Sequence, residues 1–550
     1  MKTPSHPVRA CALKLPLAAG LLTALLAGCS FIPAYQRPAA PVSDQWPQES
    51  LSPAAAASAP TAAASAADTS GTAASDLPWQ QFFTEPATPE NTGLQKIIEL
   101  ALANNRDLRV AIANIEQTRA QYQIARANLF PTVGLDVNQS RSGPNPYQSL
   151  GLGGSVSSSA TWTVGITSWE LDLFGRIRAL KEAALAQFLA TEETRKSVQM
   201  SLIANVADAW LQLKTDTDLL ALAQRTLATY EQSLRLMQLR FDNGAASALD
   251  LHGAETSADT ARATQAQQQR LRAQDIDALA LLTGVPAEQL PIPPLPQAPA
   301  DNTQMADAPA PTPPLPRFAD VPAGLPSDLL LRRPDIRAAE QQLIAANANI
   351  GAARAAFFPR ITLTAGLGRA SDTLAHLFGG GGSTGRAWSF MPDLSLPIFD
   401  FGSNIGNLEA AKAARDAAVA QYEKAIQTAF SEVADALAGR ATYTDQLAAL
   451  DAQTQAERER YRLSDLSYRN GAASYLDLLD AQRELFAVEQ SVAQVRLQQR
   501  VNEVALYKAL GGGWSPADEQ AAEQAAQTTS EAASQQQAAA AGLPASAAQP

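Results

Sequence analysis

The sequence predicts an α+β membrane protein: a β-barrel whose strands are shared among several chains, continued by long α-helical coiled-coil hairpins, with an internal duplication. Three observations carry this. The pentapeptide Asn243-Gly244-Ala245-Ala246-Ser247 returns unchanged as Asn470-Gly471-Ala472-Ala473-Ser474, 227 residues later. Each copy contains two runs of alternating apolar and polar residues, and four strands cannot close a membrane barrel, for which about eight is the minimum. Each copy then carries a long proline-free heptad pattern, from Arg176 to Asp242 and from about Ile405 to Arg469.

The duplication extends well beyond the pentapeptide. Leu129-Phe130-Pro131 matches Phe357-Phe358-Pro359, and Leu173-Phe174-Gly175 matches Asp400-Phe401-Gly402. Asp107-Leu108-Arg109 matches Asp335-Ile336-Arg337, and Gly284 matches Gly511. Offsets of 227 or 228 in one order define a duplicated unit far longer than a solenoid repeat.

Composition narrows the function classes. With 54 Asp and Glu against 42 Lys and Arg in 550 residues, and no basic cluster, the chain is not built to track nucleic acid. The only cysteines are Cys11 and Cys29, and the three histidines (His6, His252, His376) are scattered. No disulfide framework, metal-spaced cluster, nucleophile–histidine signature or phosphate-cradling loop is available, so neither an enzyme nor a cofactor is expected. Five scattered methionines form no soft-metal site.

Lys2, Arg9 and Lys14 precede an apolar run from Leu15 to Gly28, too short to span a bilayer and of a length suited to a secretory signal. Leu26-Ala27-Gly28-Cys29 resembles a bacterial lipobox, which makes Cys29 the lipid-attachment residue. Ser30, in place of the aspartate that retains lipoproteins at the inner membrane, implies the outer membrane; the alternative is an ordinary signal with a chance cysteine. Residues 1–28 are then a signal peptide and 29–92 an anchored arm with an Ala/Ser-rich spacer. Repeat 1 occupies 93–290, a proline-rich segment 291–326, repeat 2 327–513, and an Ala/Gln-rich tail without a core 514–550.

Each repeat opens with a helix, from about Gly93 to Asn128 and from Ser327, a candidate N-cap, to Ala356; both stop before an aromatic-Pro step. Val133, Leu135 and Val137 then alternate with Gly134, Asp136 and Asn138, and Trp162, Val164 and Ile166 with threonines. The second copy gives Ile361, Leu363, Ala365 and Leu367, then Trp388, Phe390, Leu394, Leu396 and Ile398, with 379–385 as a loop. Period two makes one face wet and one apolar, as in a membrane strand or a β-sandwich core; if these strands cross lipid, three chains supply twelve.

The helix 176–242 carries a seam from Leu202, Val206, Ala209 and Leu213 through Leu220, Ala223, Leu227, Tyr230, Leu234 and Met237 to Phe241, interrupted only by Asp216. At 1.5 Å per residue it is roughly 100 Å long, and the return arm 248–283 roughly 55 Å. The second seam is weaker, with Arg440, Tyr443, Glu457 and Ser464 at apolar positions of the first. Either that hairpin is simply more solvated, or it lines a water-filled space while the first packs outside it. Thin hairpins of this length need neighbours to cover their apolar stripes.

Four segments resemble one family closely: Leu325–Ala338 (LPSDLLLRRPDIRA), Ala356–Thr362 (AFFPRIT), Ser467–Leu485 (SYRNGAASYLDLLDAQREL) and Leu506–Trp514 (LYKALGGGW). They are similar to the TolC/OprM-like outer-membrane factors, especially the NodT-type efflux lipoproteins. The resemblance implies a homotrimer with a twelve-stranded outer-membrane β-barrel and a periplasmic α-helical barrel. It implies a passive exit duct for drugs or small solutes, with a periplasmic adaptor (membrane fusion) protein and an inner-membrane RND-type transporter as partners. The turns at Asn243-Gly244 and Asn470-Gly471 would be periplasmic tips where the adaptor docks. Tyr468, Asp480 and Arg483 match a periplasmic constriction, with Arg469 a weaker member; copy 1 has Phe241, Gly253 and Thr256 there. The plain alternative for Asp480 and Arg483 is an i,i+3 surface pair. A type I secretion duct, or a coiled-coil scaffold lipoprotein without a channel, are the competing functions. The scaffold leaves the four alternating strands unexplained.

Overall fold

A computed structural model describes residues 30–43, 45–47, 77–83, 89–143, 157–292, 315–316, 318–322, 332–379 and 385–514. Cys29, the leader, nearly all of the Ala/Ser tract, Ser327 and the tail after Trp514 lie outside the described residues. Elements run α1 (Trp79–Phe82), α2 (Pro89–Asn104), α3 (Arg106–Ala127), β1 (Val133–Ser142), β2 (Ser157–Glu170), α4 (Arg176–Asp242) and α5 (Ala248–Thr283). The pattern returns as α6 (Pro334–Ala355), β3 (Arg360–Ser371), a short α7 (Leu374–Gly379), β4 (Gly385–Ser395), α8 (Ser403–Arg469) and α9 (Tyr475–Ala509). The two long helices are 67 residues each. Left-handed glycines recur in pairs, Gly175 with Gly402, Gly244 with Gly471 and Gly284 with Gly511, so the duplication is written in the backbone as well.

The chain divides into two compact units, one of residues 1–39, 113–192 and 338–423 and one of 40–112, 193–337 and 424–550. The first unit holds an antiparallel sheet in the order β1-β2-β3-β4. Its register places Leu135, Val164, Leu367 and Trp388 in one row across all four strands, and Val133, Ile166, Ala365 and Phe390 in another. Opposed residues share a face, so these rows make one apolar surface. Leu135 is 65% exposed, Leu367 71% and Trp388 76%, so this is not the inside of a sandwich. The other face carries Asp136, Thr163, Gly368 and Ala387 in register. At Gly368 an added Cβ would lie 1.9 Å from the Trp162 carbonyl oxygen, so the strands meet there only because a side chain is absent. In the same unit the N-terminal arm is fixed to α6. Phe31 stacks on Phe358 at 4.6 Å, Tyr35 Oη donates to Glu340 at 3.0 Å, and Arg37 makes a fork with the same carboxylate.

The second unit has an aromatic core in which Phe82 stacks on Tyr507 at 4.0 Å, with Phe83 and Phe318 around it. Its hairpin arms start and stop by equivalent devices. Asn105 Nδ2 donates to the Leu282 carbonyl at 2.8 Å, near the end of α5. At the matching place in repeat 2, Arg333 Nη1 donates to the Ala509 carbonyl at 3.0 Å, near the end of α9. Arg333 is buried and also binds Asp335 and Glu432, each at 2.7 Å, which explains the Arg-Arg-Pro-Asp-Ile run: Pro334 opens the helix and the arginine before it closes the repeat.

Several expectations need correction. The first opening helix is not continuous to Asn128 but breaks at Asn105, whose Oδ1 accepts from Leu108 N at 2.9 Å and caps a new helix. β4 ends at Ser395, leaving Leu396 and Ile398 beyond it on either side of Pro397. Phe241 is exposed at the end of its seam, whereas Asp216 is buried within it. Between β3 and β4 the chain makes the short helix α7 before the expected loop, with Leu377 buried. Among the described residues no helix is long and apolar enough to cross a membrane.

Candidate functional site

The two Asn-Gly turns and the last few helical turns leading into them form the candidate site, all within the second unit. Each turn is built identically. Gly244 and Gly471 have φ of 70° and 72°, where L side chains are strained, and each terminates a 67-residue helix. Ala245 N donates to Arg240 O at 2.7 Å and Gly244 N to Phe241 O at 2.9 Å, with Ala472 and Gly471 repeating the pattern. These paired bonds satisfy carbonyls that the helix end would leave open. The asparagine amides turn backward, Asn243 onto Leu239 O at 2.7 Å and Asn470 onto Leu466 O at 2.8 Å. Ser247 with Asp250, and Ser474 with Asp477, then close capping boxes that start the return arms.

Behind the turns the two hairpins share a core of Tyr230, Met237, Leu251, Ala254, Tyr475 and Leu478, among others. Tyr468 packs against it, 5.6 Å from the Tyr475 ring. Its hydroxyl accepts from Arg240 Nη1 at 2.6 Å, and the same guanidinium lies 5.1 Å from the ring centre. One arginine of hairpin 1 thus grips one tyrosine of hairpin 2 by hydrogen bond and cation–π contact. Burial pushes Tyr230 up to about 12, against the pull of the Arg483 charge.

The expected constriction residues are not all brought together. Asp480 pairs with Arg460 on the opposite arm, not with Arg483, so the simple i,i+3 surface pair is absent. Arg460 also holds Glu457 at 3.2 Å. Arg483 is exposed and makes no ion pair among the described residues, while Arg469 is occupied by Asp465 at 2.9 Å. Two residues here were not anticipated from sequence. Arg460 had a readable signal: antiparallel arms bring into register residues equidistant from their turn, and 460 and 480 flank Asn470 symmetrically. Arg240 lies just before the repeated pentapeptide, but nothing in its spacing points to Tyr468, because that contact joins different hairpins. Beside the second tip a shallow groove is lined by Glu459, Leu463, Ser467 and Asp477. Among the described residues no cluster of histidine, cysteine and carboxylate side chains suits a metal ion.

Comparison with known proteins sets this geometry in a context. A family model described as outer membrane efflux protein matches residues 97–285 and 325–512. The probable efflux pump outer membrane protein TtgC of Pseudomonas putida is 46% identical over 501 residues, 90% of this chain and 95% of its own. Outer membrane protein OprJ of Pseudomonas aeruginosa is 40% identical over 494 residues, covering 90% and 95%. The open state of the Neisseria gonorrhoeae MtrE outer membrane channel matches with a TM-score of 0.71 at 38% identity, over 88% of this chain and 99% of that one.

Proposed function

The chain belongs to the outer membrane efflux protein family, and from that premise we propose that it is the passive exit duct of a tripartite efflux system for drugs or other small solutes. It works in the outer membrane and extends into the periplasm. The observation that carries the reading is the sheet: four antiparallel strands of 10 to 14 residues whose one face carries a largely exposed apolar band across all four strands, followed by Arg369 and Arg386 in the next row. Strands of about ten residues suit the hydrocarbon thickness of a bilayer.

The strand order leaves β1 and β4 as edges, and in lipid an unpaired edge forfeits a row of backbone hydrogen bonds. Pairing β4 of one copy with β1 of the next removes both edges, and three copies make the twelve-stranded barrel of a homotrimer. Cys29 would anchor each copy by its lipid, two residues before the Phe31 that stacks on Phe358. The exposed turns at Asn243-Gly244 and Asn470-Gly471, and the groove beside the second, would meet the periplasmic adaptor, which links the duct to an inner-membrane RND-type transporter. Repeat 2 supplies the constriction: Tyr468, held by Arg240, sets the position of its tip, and the Arg460–Asp480 pair with the uncommitted Arg483 faces the axis. A ring of such charges around a threefold axis closes by pairing between copies and opens when a partner pulls the hairpins apart.

Single-channel conductance of the purified protein in planar bilayers tests both parts. Wild type should show a small, cation-preferring conductance that rises several-fold in Asp480→Ala/Arg483→Ala. Conductance indifferent to the double substitution keeps the duct and removes the constriction. Well-folded protein with no conductance in either form would favour a scaffold without a channel.

A further inference from the structure

The seam of α4 is interrupted by one acidic residue, Asp216, and the fold does not turn it to water. Leu213, Lys214, Thr215, Asp216 and Thr217 are all buried, with the exposed Gln212 at the edge of the stretch. Gln212 Nε2 donates to Asp216 Oδ2 at 3.1 Å, while Thr215 and Thr217 give their hydroxyls to the carbonyls of Leu211 and Leu213. On the return arm α5, position 275 is as far from the turn as 216, and the bond from Arg272 to Thr217 Oγ1 joins the two arms beside them, so the Asp275 carboxyl faces that of Asp216. Asp275 Oδ2 is buried and receives no donor. Two ionised carboxylates offer only acceptors to each other, so a bond between them exists only when one carries a proton.

The charged groups around the pair lie on four helices. On α5, Arg272 gives Nε to Thr217 Oγ1 at 3.2 Å. On α4, Lys214 and Arg225 act on Asp218. On α9, Arg500 pairs with Glu503, and Lys508 acts on Asp208. On α2, Lys96 and Glu99 are exposed. What acts on Asp275 is burial first and Asp216 second, and together they push it up to about 7. At the equivalent positions of repeat 2, 227 residues on, stand Tyr443 and Asn502. Asn502 ties the arms of hairpin 2 by donating to the Ala436 carbonyl at 2.8 Å, a bond that involves no titrating group.

We propose that Asp216 and Asp275 form a proton-sharing latch that makes closure of hairpin 1, and not of hairpin 2, depend on pH. The direction follows from linkage. A carboxyl whose folded value is raised favours the closed arms fully below its unfolded value, the ordinary 3.8. That contribution drains as pH rises and is gone above about 7. In that window the arm-opening equilibrium of hairpin 1 rises by up to about tenfold per pH unit. Hairpin 1 is therefore a tight pair of arms in mild acid and a looser one at and above neutrality. The latch is independent of the channel reading, since it concerns two arms of one chain.

Hydrogen exchange of the full-length protein, corrected for the intrinsic pH dependence of amide exchange, tests it. From pH 5 to pH 7 the α5 segment 270–280 should lose protection by about tenfold or more, while segment 497–507 of hairpin 2 changes little. Asp275→Asn restores a donor that needs no proton, so its α5 segment should stay protected and flat across the range. If that variant does not assemble, Asp216→Asn serves the same purpose from the other arm. Equal slopes in the two wild-type hairpins, or a wild-type slope retained in the substituted protein, would overturn the latch. Asp208 and Asp218 are also raised by burial, and the comparison with the substituted protein separates their contribution.

Discussion

Hairpin 1 and hairpin 2 use the same long helix, the same turn and nearly the same return arm, yet they live in different surroundings. In α4 the seam is buried at Leu213, Leu220 and Ala223 and again at Tyr230 and Met237 near the turn. In α8, Thr454 is the only buried residue beyond Leu437 among the described residues. The arms of hairpin 2 are cross-linked there by exposed pairs, Arg458–Glu489, Arg460–Asp480 and Arg496–Asp451. Caps and turns thus fix where a helix stops, while the side chains between them decide whether it faces protein or water. That asymmetry is what a duct needs, with one hairpin packed and one wet.

The contrast is sharpest where each repeat closes on the end of its own return arm. Repeat 1 holds the Leu282 carbonyl with the neutral amide of Asn105, and repeat 2 holds the Ala509 carbonyl with the buried guanidinium of Arg333. Arg333→Met leaves the Ala509 carbonyl without its donor and two partly exposed carboxylates, Asp335 and Glu432, without their cation, so it should cost about 2–3 kcal/mol. Asn105→Ala loses a hydrogen bond and a cap and should cost only about 1–2 kcal/mol. Local opening free energies from hydrogen exchange over 505–511 and 279–285 measure the two; equal losses would break the distinction.

A smaller effect belongs to the turns. Gly244 and Gly471 both sit at positive φ with nothing near an added Cβ, so the strain of an alanine is conformational alone. Each Gly→Ala substitution should cost about 1–2 kcal/mol, equally in both hairpins. A circular-dichroism melt that separates the two variants would show that one tip is supported by something beyond its own turn.

Much of this was legible in the sequence because the devices are local or periodic. The repeated Asn-Gly turns and the alternating strands announce themselves in short windows, and the 67-residue helices in a proline-free heptad pattern along their length. The break at Asn105 was missed because an Asn-Asn pair inside an apolar-periodic run reads as helix until its side chain is seen capping Leu108. At the candidate site, the turn residues and Tyr468 were readable, and Arg460 could have been read from its distance to the turn, equal to that of Asp480. Arg240 could not: it reaches Tyr468 across 228 residues, a contact set by how the two hairpins pack. Asp216 was visible as an interruption of the seam, and its equal distance from the turn pointed across to Asp275, but burial of the site was not legible.

The smallest predicted difference is also the cleanest control on the comparison. Ser247 and Ser474 make the same capping box, Asp250 N to Ser247 Oγ at 3.1 Å and Asp477 N to Ser474 Oγ at 3.2 Å, with both aspartates returning the bond to the serine N–H. Both serines are exposed, so neither cap borrows strength from packing. Ser247→Ala and Ser474→Ala should each destabilise the first turn of its return arm by about 1 kcal/mol. Exchange of the amides just past each cap, at 249–251 and 476–478, should therefore accelerate by about fivefold in both variants. Equal acceleration would place the whole difference between the hairpins in their seams. A loss confined to one tip would mean that the two turns, identical in sequence and hydrogen bonding, are held apart in energy by what each one touches.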